Sequence, residues 1–218
     1  SFGAFSYICG NKILGYMKKN RLTASVVCAA SIGLCCSVNA EVLPQPKTTG
    51  GMPLMQAMSL RCSQRDINPS SSVTKQELSD MLWAAWGITH DGKRTIGTAM
   101  NRQELEIYVV TATEISRYSA EENTLTPIAT GDFREEVALQ DFAVTAPVNI
   151  VFVADKTKQK DIEHQCYAAG AASQNVYLYC AQAGLKTVLR YGCDRDAMKK
   201  TMNLDENKNI LYVQTVGR

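Results

Sequence analysis

Histidine is scarce in this chain, and several familiar catalytic motifs are missing. Only two histidines, His90 and His164, occur in 218 residues. His90 lies in the turn-like stretch THDGKR and His164 lies at a helix start, so exposed surface positions are the default interpretation for both. The sequence has no H-E-x-x-H, no P-loop and no G-x-G-x-x-G after a strand. These absences remove the usual support for a hydrolase or a kinase.

The first 40 residues have the pattern of a secretory signal peptide. Met17 precedes a cationic KKNR, an apolar or small run follows at 22–38, and Ala40 ends a small-residue cleavage site. A membrane anchor is the alternative, but this run is at the lower limit for spanning a bilayer. We expect cleavage after Ala40 and interpret residues 1–16 as upstream translated sequence. Cys35 leaves a lipoprotein form as a less favoured alternative.

Charge and cysteine content change when the predicted leader is set aside. The whole chain has 23 basic and 21 acidic residues, and the leader takes four basic residues, which leaves 19 basic and 21 acidic. A slightly acidic chain of this kind does not favour a general nucleic-acid surface. The four remaining cysteines have no C-x-x-C spacing, which argues against zinc. Disulfides are possible in an oxidising compartment, although Cys166 and Cys180 lie in a helical pattern where small buried thiols are the favoured interpretation. The four cysteines are Cys62, Cys166, Cys180 and Cys193.

The most regular segment is a helix that begins after Thr74 and ends at Gly87. Thr74 and Glu77 form an S/T-x-x-E capping box, in which each side chain bonds the other residue's free backbone amide. We expect Gly87 to end the helix in a left-handed conformation. Both tryptophans are expected in the core or an interface. The spacing i, i+3, i+4, i+7, i+8 predicts one buried face, made of Leu78, Met81, Leu82, Ala85 and Trp86.

The remaining pattern predicts one domain at 54–218, preceded by a flexible arm at 41–53 that is rich in proline, glycine and threonine. The strand at 148–154 is almost wholly apolar and should be central. The helix at 161–183 is expected to end at Gly184. Its alanine- and glycine-rich middle predicts close packing on another helix, with a dimer interface there. The class is α+β or α/β, with one sheet covered by helices. Further predictions are helices at 53–59 and 194–203, strands at 106–113 and 209–216, and, at 124–141, a hairpin edge and a helix near Asp132.

Three polar clusters are candidates for binding. RCSQR at 61–65 offers two forked guanidinium donors and a hydroxyl, a combination suited to phosphate. RTIGTAMNRQ at 94–103 has small residues that let the backbone approach a flat ligand. LRYG at 189–192 again has a glycine that permits close approach. Each cluster by itself is more often a solvated surface stretch than a site.

Taken together and in order, these clusters resemble the flavin-dependent nitroreductase superfamily, with the short SagB-like dehydrogenase branch as the closest match. RCSQR stands where that family has R-x-S-x-R, and residues 94–110 resemble its R-T-x-P-S-A-x-N-x-Q-E-L loop and following strand. LWAAWGI at 82–88, APVNIVFVAD at 146–155 and GAASQNVYLYCAQAGL at 170–185 resemble its helix end, central strand and interface helix. The resemblance implies an α+β fold in three layers, with a mostly antiparallel sheet covered by helices, and an interlocked homodimer.

The resemblance also implies FMN as the cofactor, NAD(P)H or another donor, and an electron-poor small-molecule acceptor such as a nitro compound or quinone. Arg61, Ser63 and Arg65 would hold the FMN phosphate. A partner subunit would line the flavin with Gly97, Thr98, Ala99, Asn101 and Gln103. Backbone amides of Tyr191 and Gly192 would lie near the reactive nitrogen, and Gln140 would bond the pyrimidine edge.

Two departures from the family pattern matter. The Pro-Ser of the loop is Gly97-Thr98 here, and the chain ends in VGR where relatives read V-G-Y-P-K, so Arg218 is a substitute candidate for the usual basic residue. These changes keep two alternatives open. One is a non-catalytic flavin- or ligand-binding protein with the same fold, and the other is a thiol-redox protein that uses Cys62 or Cys193.

Overall fold

The computed structural model of this protein describes residues 39–218. The predicted signal peptide and the segment before it therefore lie outside the described residues, apart from Asn39 and Ala40. Within the described part, no helix is long and apolar enough to cross a membrane. No group of three or more histidine, cysteine or acidic side chains in residues 39–218 is placed to hold a metal ion.

The fold is α+β, with one seven-stranded sheet between two layers of helices. The strand order is β1-β4-β3-β2-β5-β7-β6, and every pair is antiparallel. The strands are β1 Glu41–Val42, β2 Leu105–Val110, β3 Glu114–Ser119, β4 Thr124–Thr130, β5 Val148–Asp155, β6 Lys186–Arg190 and β7 Lys208–Gly217. The helices are α1 Leu54–Leu60, α2 Lys75–Trp86, α3 Arg134–Val137, α4 Asp141–Val144, α5 Ile162–Ala183 and α6 Arg195–Thr201.

Strand β5 is central, as its apolar sequence predicts, and all eight of its residues are buried. Successive side chains of a strand point to opposite faces, so β5 contributes to two separate cores. Ile150 and Phe152 pack against α2 and α5, whereas Val151 and Val153 pack against α3, α4 and α6. The sheet therefore forms the middle of three layers.

The predicted helix boundaries are largely confirmed, because their signals are local. Thr74 Oγ accepts from the backbone N–H of Glu77 at 3.2 Å, and Glu77 accepts from that of Thr74 at 2.8 Å, so the capping box is formed. Helix α5 ends at Gly184, whose φ of 66° is left-handed. Helix α2 packs along α5 through the face that the periodicity predicts.

Gly87 ends α2, but the predicted left-handed conformation is wrong. Its φ is −64° and its ψ is 165°, which is extended backbone that other residues also adopt. A Cβ at this position would lie 2.2 Å from Cδ1 of Trp83 and 2.5 Å from its carbonyl oxygen. Glycine is needed here because the Trp83 ring and backbone leave no room for a side chain.

The segment 41–53, predicted to be a flexible arm, starts with structured contacts instead. Glu41 and Val42 form β1 on the edge strand β4, and Leu43 is only 2% exposed. The amide of Asn123 donates to the carbonyl oxygen of Pro44 at 2.9 Å, and the backbone N–H of Lys47 donates to Asp80. The proline and glycine content of this segment indicated flexibility. It gave no sign that the apolar residues at the start of the segment would cover an open sheet edge.

The sheet also contains two further strands that the sequence pattern did not predict, β3 and β6. Strand β3 has polar residues among its apolar ones, and it forms a hairpin with β4 with a register shift between Ile115 and Ser116. Beyond that hairpin, the predicted helix near Asp132 is a single turn, α3.

A largely buried cluster of ion-paired side chains joins the ends of β5 and β7. Lys208 Nζ donates to Asp155 at 2.9 Å and to Glu106 at 2.7 Å. The other carboxylate oxygen of Asp155 accepts from the hydroxyl and backbone N–H of Thr157 at 2.6 and 2.8 Å. Although burial opposes ionisation, the hydrogen bonds from Thr157 and Lys208 lower the pKa of Asp155 to about 2.

All four cysteines in residues 39–218 are free thiols. Cys180 is buried between α5 and α2, with its sulfur 3.9 Å from that of Met81. Burial raises the pKa of Cys180 to about 12, so this thiol is unreactive at neutral pH. Of the two cysteines interpreted as buried thiols, Cys180 is buried and Cys166 is partly buried.

Candidate functional site

The RCSQR segment lies along the outer edge of the sheet. Strand β6 is the terminal strand next to β7, and the backbone N–H of Gln64 donates to the carbonyl oxygen of Thr187 at 2.9 Å. Arg61 caps the end of α1 through its own backbone N–H, which donates to Ala57. An open strand edge otherwise exposes unpaired backbone groups, so this pairing fixes the segment beside β6.

Tyr177 of α5 brings the side chains of Arg61 and Ser63 together. Its hydroxyl lies 2.8 Å from Ser63 Oγ and accepts the backbone N–H of Leu189 at 2.8 Å. The Arg61 guanidinium lies over the Tyr177 ring, with its carbon 5.2 Å from the ring centre. Tyr177 is 8% exposed, so its ring forms a rigid support. The sequence analysis missed this residue, although a tyrosine on a buried helix face needs a hydrogen-bond partner.

Both guanidinium groups of RCSQR lack an acidic partner. Neither Arg61 nor Arg65 forms an ion pair with any carboxylate of residues 39–218. The neighbouring cations differ: Lys186 pairs with Asp66 at 2.6 Å, and Arg218 pairs with Glu77. The suggestion that Arg218 joins the phosphate residues therefore has no support from its side-chain contacts. Two free guanidinium groups and a hydroxyl remain available to an anion.

Tyr191 and Gly192 directly follow β6 and extend this surface. Tyr191 is 71% exposed, and the Arg195 guanidinium lies 4.0 Å from its ring centre. Arg195 also donates to the Tyr191 carbonyl oxygen at 3.0 Å, which holds the residue in place. A Cβ added at Gly192 would meet only the Leu139 side chain, at 3.7 Å. The backbone of Gly192 is therefore open to close approach by a flat molecule.

Gln140 is the chain neighbour of a residue that faces Gly192. It precedes α4 as the N-cap residue, and the side chain of its neighbour Leu139 is the one that faces Gly192. Gln140 is exposed, and its amide group forms no hydrogen bond with residues 39–218. The structure thus brings four of the predicted residues into one row beside β6, and Gln140 adjoins this row through its neighbour Leu139. The four are Arg61, Ser63, Tyr191 and Gly192. Arg65 is exposed at the end of the same segment.

The loop at 97–103 is tight and conformationally costly. Met100, Asn101 and Gln103 have φ values of 52°, 53° and 49°. Left-handed conformations of non-glycine residues cost about 1 kcal/mol or more each, and they cluster at functional sites. The Thr98 hydroxyl accepts the backbone N–H of Gln103 at 3.0 Å and closes the loop. The hydroxyl that replaces the family's serine is therefore used within the loop.

Gln103 differs from the other predicted residues because its amide is already engaged. Its oxygen accepts from Arg94 Nε at 2.9 Å, and its nitrogen donates to Asn101 and to the carbonyl oxygen of Gly92, both at 3.3 Å. Arg94 in turn stacks 4.7 Å over the Trp86 ring. In this chain Gln103 holds the loop on α2, rather than presenting a free amide to a ligand.

Within one chain, this loop is far from the RCSQR segment. Gly97 faces the hydroxyl of Tyr167, whereas Ser63 contacts Tyr177 ten residues further along α5. A helix rises about 1.5 Å per residue, so these contacts are about 15 Å apart along the axis. Gly97, Thr98, Ala99 and Asn101 therefore form a second surface at the beginning of α5.

The region with these surfaces matches the Nitroreductase family over residues 59–218. This match includes both surfaces and most of the described chain. The chain belongs to the nitroreductase family. Members of this family are FMN-dependent, so an oxidoreductase is the class of enzyme to which this fold and sequence assign the chain.

Similar proteins support the family assignment. A protein of Methanocaldococcus jannaschii assigned as a nitroreductase is 31% identical over 136 residues, covering 55% of this chain and 69% of its own length. A solved structure from Ralstonia eutropha, also assigned as a nitroreductase, is 34% identical with a TM-score of 0.76, covering 82% of this chain and 89% of that one.

A structure from Desulfovibrio desulfuricans, assigned as a nitroreductase and solved in complex with FMN, is 19% identical with a TM-score of 0.57. It covers 77% of this chain and 87% of its own. At that identity the likeness shows the fold alone. The SagB-like branch within the nitroreductase family stays a prediction.

Proposed function

We propose that this nitroreductase-family protein binds FMN with its phosphate on Arg61, Ser63 and Arg65. The observation that carries the proposal is a pair of guanidinium groups with no acidic partner in residues 39–218, beside a serine fixed by Tyr177. Guanidinium forks and hydroxyls are matched to phosphate oxygens. Arg61 is further held in place by the Tyr177 ring. The donor set therefore fits the anionic end of FMN.

The opposite end of this row fits a flat ring. Gly192 leaves its backbone open, and Gln140 has an unengaged amide that can bond a ring edge bearing both donors and acceptors. When bound, FMN supplies the capacity to accept and donate hydride. The chain's part is to bind and orient the ring with Tyr191, Gly192 and Gln140. We propose NAD(P)H or another reductant as the donor, and an electron-poor molecule such as a nitro compound or quinone as the acceptor.

We further propose that two copies of the chain form the working unit. Helix α1 packs on α5 and presents a strongly exposed apolar face. The exposed side chains on α1 are Leu54 at 61%, Met55 at 74%, Met58 at 49% and Leu60 at 51%. Contiguous apolar patches of this kind mark interaction sites. A partner subunit docked there would bring Gly97, Thr98, Ala99 and Asn101 toward the RCSQR surface of the first.

Sedimentation velocity of the mature protein tests this association. We expect a dimer for the parent and a shift toward monomer for Met58→Asp, because a buried charge would oppose association. Ile128→Asp, on the other side of the molecule and 39% exposed, is the matched control and should stay dimeric. A parent protein that sediments as a monomer at micromolar concentration would contradict the proposal.

Export is also proposed, on the sequence of the leader. Asn39 and Ala40 are exposed, and β1 begins at Glu41, so cleavage after Ala40 would leave the first strand intact. N-terminal sequencing of protein expressed from the full chain tests this idea. A mature protein that starts at Glu41 is expected, and one that keeps residues 17–40 would refute it.

Flavin binding has a direct test. We expect purified protein to bind FMN and show flavin absorbance, and Arg61→Ala to weaken FMN binding by about 10- to 100-fold, since a charge-assisted hydrogen bond is worth about 1.5–3 kcal/mol. Arg117→Ala is the control, because Arg117 is exposed and pairs with Glu106 elsewhere. A parent that stays colourless after FMN loading would contradict the proposal, and so would equal affinity in Arg61→Ala.

A non-catalytic flavin-binding protein is the second candidate. It is favoured by Arg218, whose guanidinium pairs with Glu77 rather than joining the phosphate residues. Anaerobic addition of NADH or NADPH to the FMN-loaded protein separates the two candidates. Bleaching of the flavin absorbance is expected for the oxidoreductase. Flavin absorbance that neither nucleotide changes, in a sample that dithionite still bleaches, would support the non-catalytic alternative.

A further inference from the structure

Arg190, the last residue of β6, is buried and connects the two segments that the proposed function places at the flavin ring. It is 6% exposed. Its Nη1 donates to the carbonyl oxygen of Gly192 at 3.1 Å, and its Nη2 donates to the carbonyl oxygen of Val137 at 3.2 Å. Val137 ends α3, three residues before Gln140. One guanidinium thus bonds the backbone at Gly192 and, three residues before Gln140, at Val137.

The remaining hydrogen bonds anchor Arg190 in the sheet. Nη2 also donates to Asn149 Oδ1 at 3.1 Å, and Nε donates to the hydroxyl of Thr215 at 2.9 Å. Asn149 lies in central strand β5 and Thr215 in β7, and both are fully buried. The guanidinium is therefore held by two strands while it holds two loops.

Asn149 extends the same network to the other side of Gln140. Its Nδ2 donates to the carbonyl oxygen of Ala143 in α4 at 3.0 Å, and its Oδ1 accepts the Thr215 hydroxyl at 2.7 Å. Gln140 consequently lies between two carbonyl groups, at Val137 and Ala143, that are bonded to one buried polar cluster. The position of Gln140 is set from both sides.

This arginine has no acidic partner among residues 39–218, as its contacts are all to neutral groups. Burial lowers the pKa of Arg190 to about 10, so the group still carries its charge at neutral pH. An unpaired buried charge is costly unless its hydrogen bonds are satisfied. Four neutral acceptors satisfy it here, and two of them are the backbone of the ring-binding segments.

We propose that Arg190 is a positioning residue of the FMN site, which fixes the Tyr191–Gly192 backbone relative to Gln140. This inference rests on the proposed function. The planar fork of arginine reaches the Gly192 and Val137 carbonyls at the same time, whereas a lysine ammonium is a single point of attachment on a flexible stem. Arg190 itself does not need to touch the flavin.

The test compares Arg190→Lys with Ser79→Ala. Lysine keeps the charge but loses the fork, so the two backbone segments are no longer held together. Ser79→Ala removes a fully buried hydroxyl that donates to the carbonyl oxygen of Pro44, and it leaves every hydrogen bond of Arg190 in place. The readouts are the Kd for FMN from quenching of flavin fluorescence, the visible circular dichroism of bound FMN, and the unfolding midpoint of the apoprotein.

We expect Arg190→Lys to raise the Kd for FMN by about tenfold or more, the effect of losing about one charge-assisted hydrogen bond, and to change the visible circular dichroism. Ser79→Ala should change the Kd by less than about threefold, even with a loss of apoprotein stability, because Ser79 forms no bond with the Arg190 network. Equal weakening in the two variants, or a Kd for Arg190→Lys within about threefold of the parent, overturns the inference.

Hydrogen exchange in the parent protein gives a second measurement if Arg190→Lys does not fold. Adding FMN should slow exchange together at 138–140 and 191–192, because one guanidinium holds both segments. Protection of only one segment overturns the inference while leaving FMN binding established. A parent that does not bind FMN overturns the proposed function and this inference together.

Discussion

Removing the hydroxyl of Tyr177 gives a sharp test of how the phosphate residues are held. Tyr177→Phe keeps the ring under Arg61 but removes two hydrogen bonds, to Ser63 Oγ and from the N–H of Leu189, each 2.8 Å long. Because the ring itself stays, any effect reports on the hydroxyl. The nearby Tyr179→Phe is the matched control, since its hydroxyl makes only a 3.4 Å contact with Asp80.

The size of the effect follows from the burial of these groups. An unpartnered buried N–H costs about 1–3 kcal/mol, and Leu189 is half-buried, so the lower part of this range applies. For a domain of this size, about 1 kcal/mol corresponds to a fall in Tm of about 2–4 °C. Loss of a fixed Ser63 costs about 0.5–1.5 kcal/mol on binding, equivalent to about three- to tenfold in the Kd for FMN.

Thermal unfolding of the apoprotein at fixed concentration and fluorescence titration with FMN measure the two effects separately. Tyr177→Phe should lower both Tm and FMN affinity, whereas Tyr179→Phe should leave the affinity unchanged. If Tyr177→Phe loses stability but binds FMN as tightly as the parent, then Tyr177 does not position Ser63 for phosphate. Equal losses of affinity in the two variants would also refute the reasoning.

Three further results are expected. Gly87→Ala should destabilise the protein by about 1–3 kcal/mol in urea unfolding, because its Cβ collides with Trp83; unchanged stability would mean that this contact relaxes freely. Because the pKa of Asp155 is lowered in the folded state, its contribution to folding stability is present above about pH 4 and is lost as pH falls toward about 2. Asp155→Asn should therefore lower the free energy of unfolding by about 1 kcal/mol at pH 7, after a discount for solvent screening, and by little at pH 2. An equal loss at both pH values would contradict this role of Asp155. In the native protein a thiol reagent should label exposed Cys62 rapidly and leave Cys180 unmodified until unfolding, with early labelling of Cys180 as the contrary result.

The thiol-redox alternative has little geometric support. Cys62 and Cys193 are both free, Cys62 is exposed, and burial raises the pKa of Cys193. A raised pKa reduces the thiolate fraction that redox chemistry needs. Full flavin reduction in a Cys62→Ser variant is the expected outcome, and loss of reduction in that variant would revive the alternative.

Sequence patterns were sufficient where the signal is local. The capping box of α2, the apolar run of β5 and the glycine after α5 each depend on a few neighbouring residues, and all three are found as predicted. Strand β3 was missed because its polar residues hide the strand period. Gly87 was misinterpreted because a glycine at a helix end suits either a positive φ or a close neighbour, and only the position of the Trp83 ring distinguishes these.

The candidate site shows the same division between what local sequence patterns predict and what tertiary contacts decide. The sequence by itself determined the family and predicted the residue types for phosphate and ring binding, because those motifs are short and ordered along the chain. The tertiary structure alone decided which groups are free. It engages Gln103 with Arg94, pairs Arg218 with Glu77, and leaves Arg61 unpaired over Tyr177. Hydrogen bonds between residues up to 141 positions apart make these choices, and no local pattern encodes them.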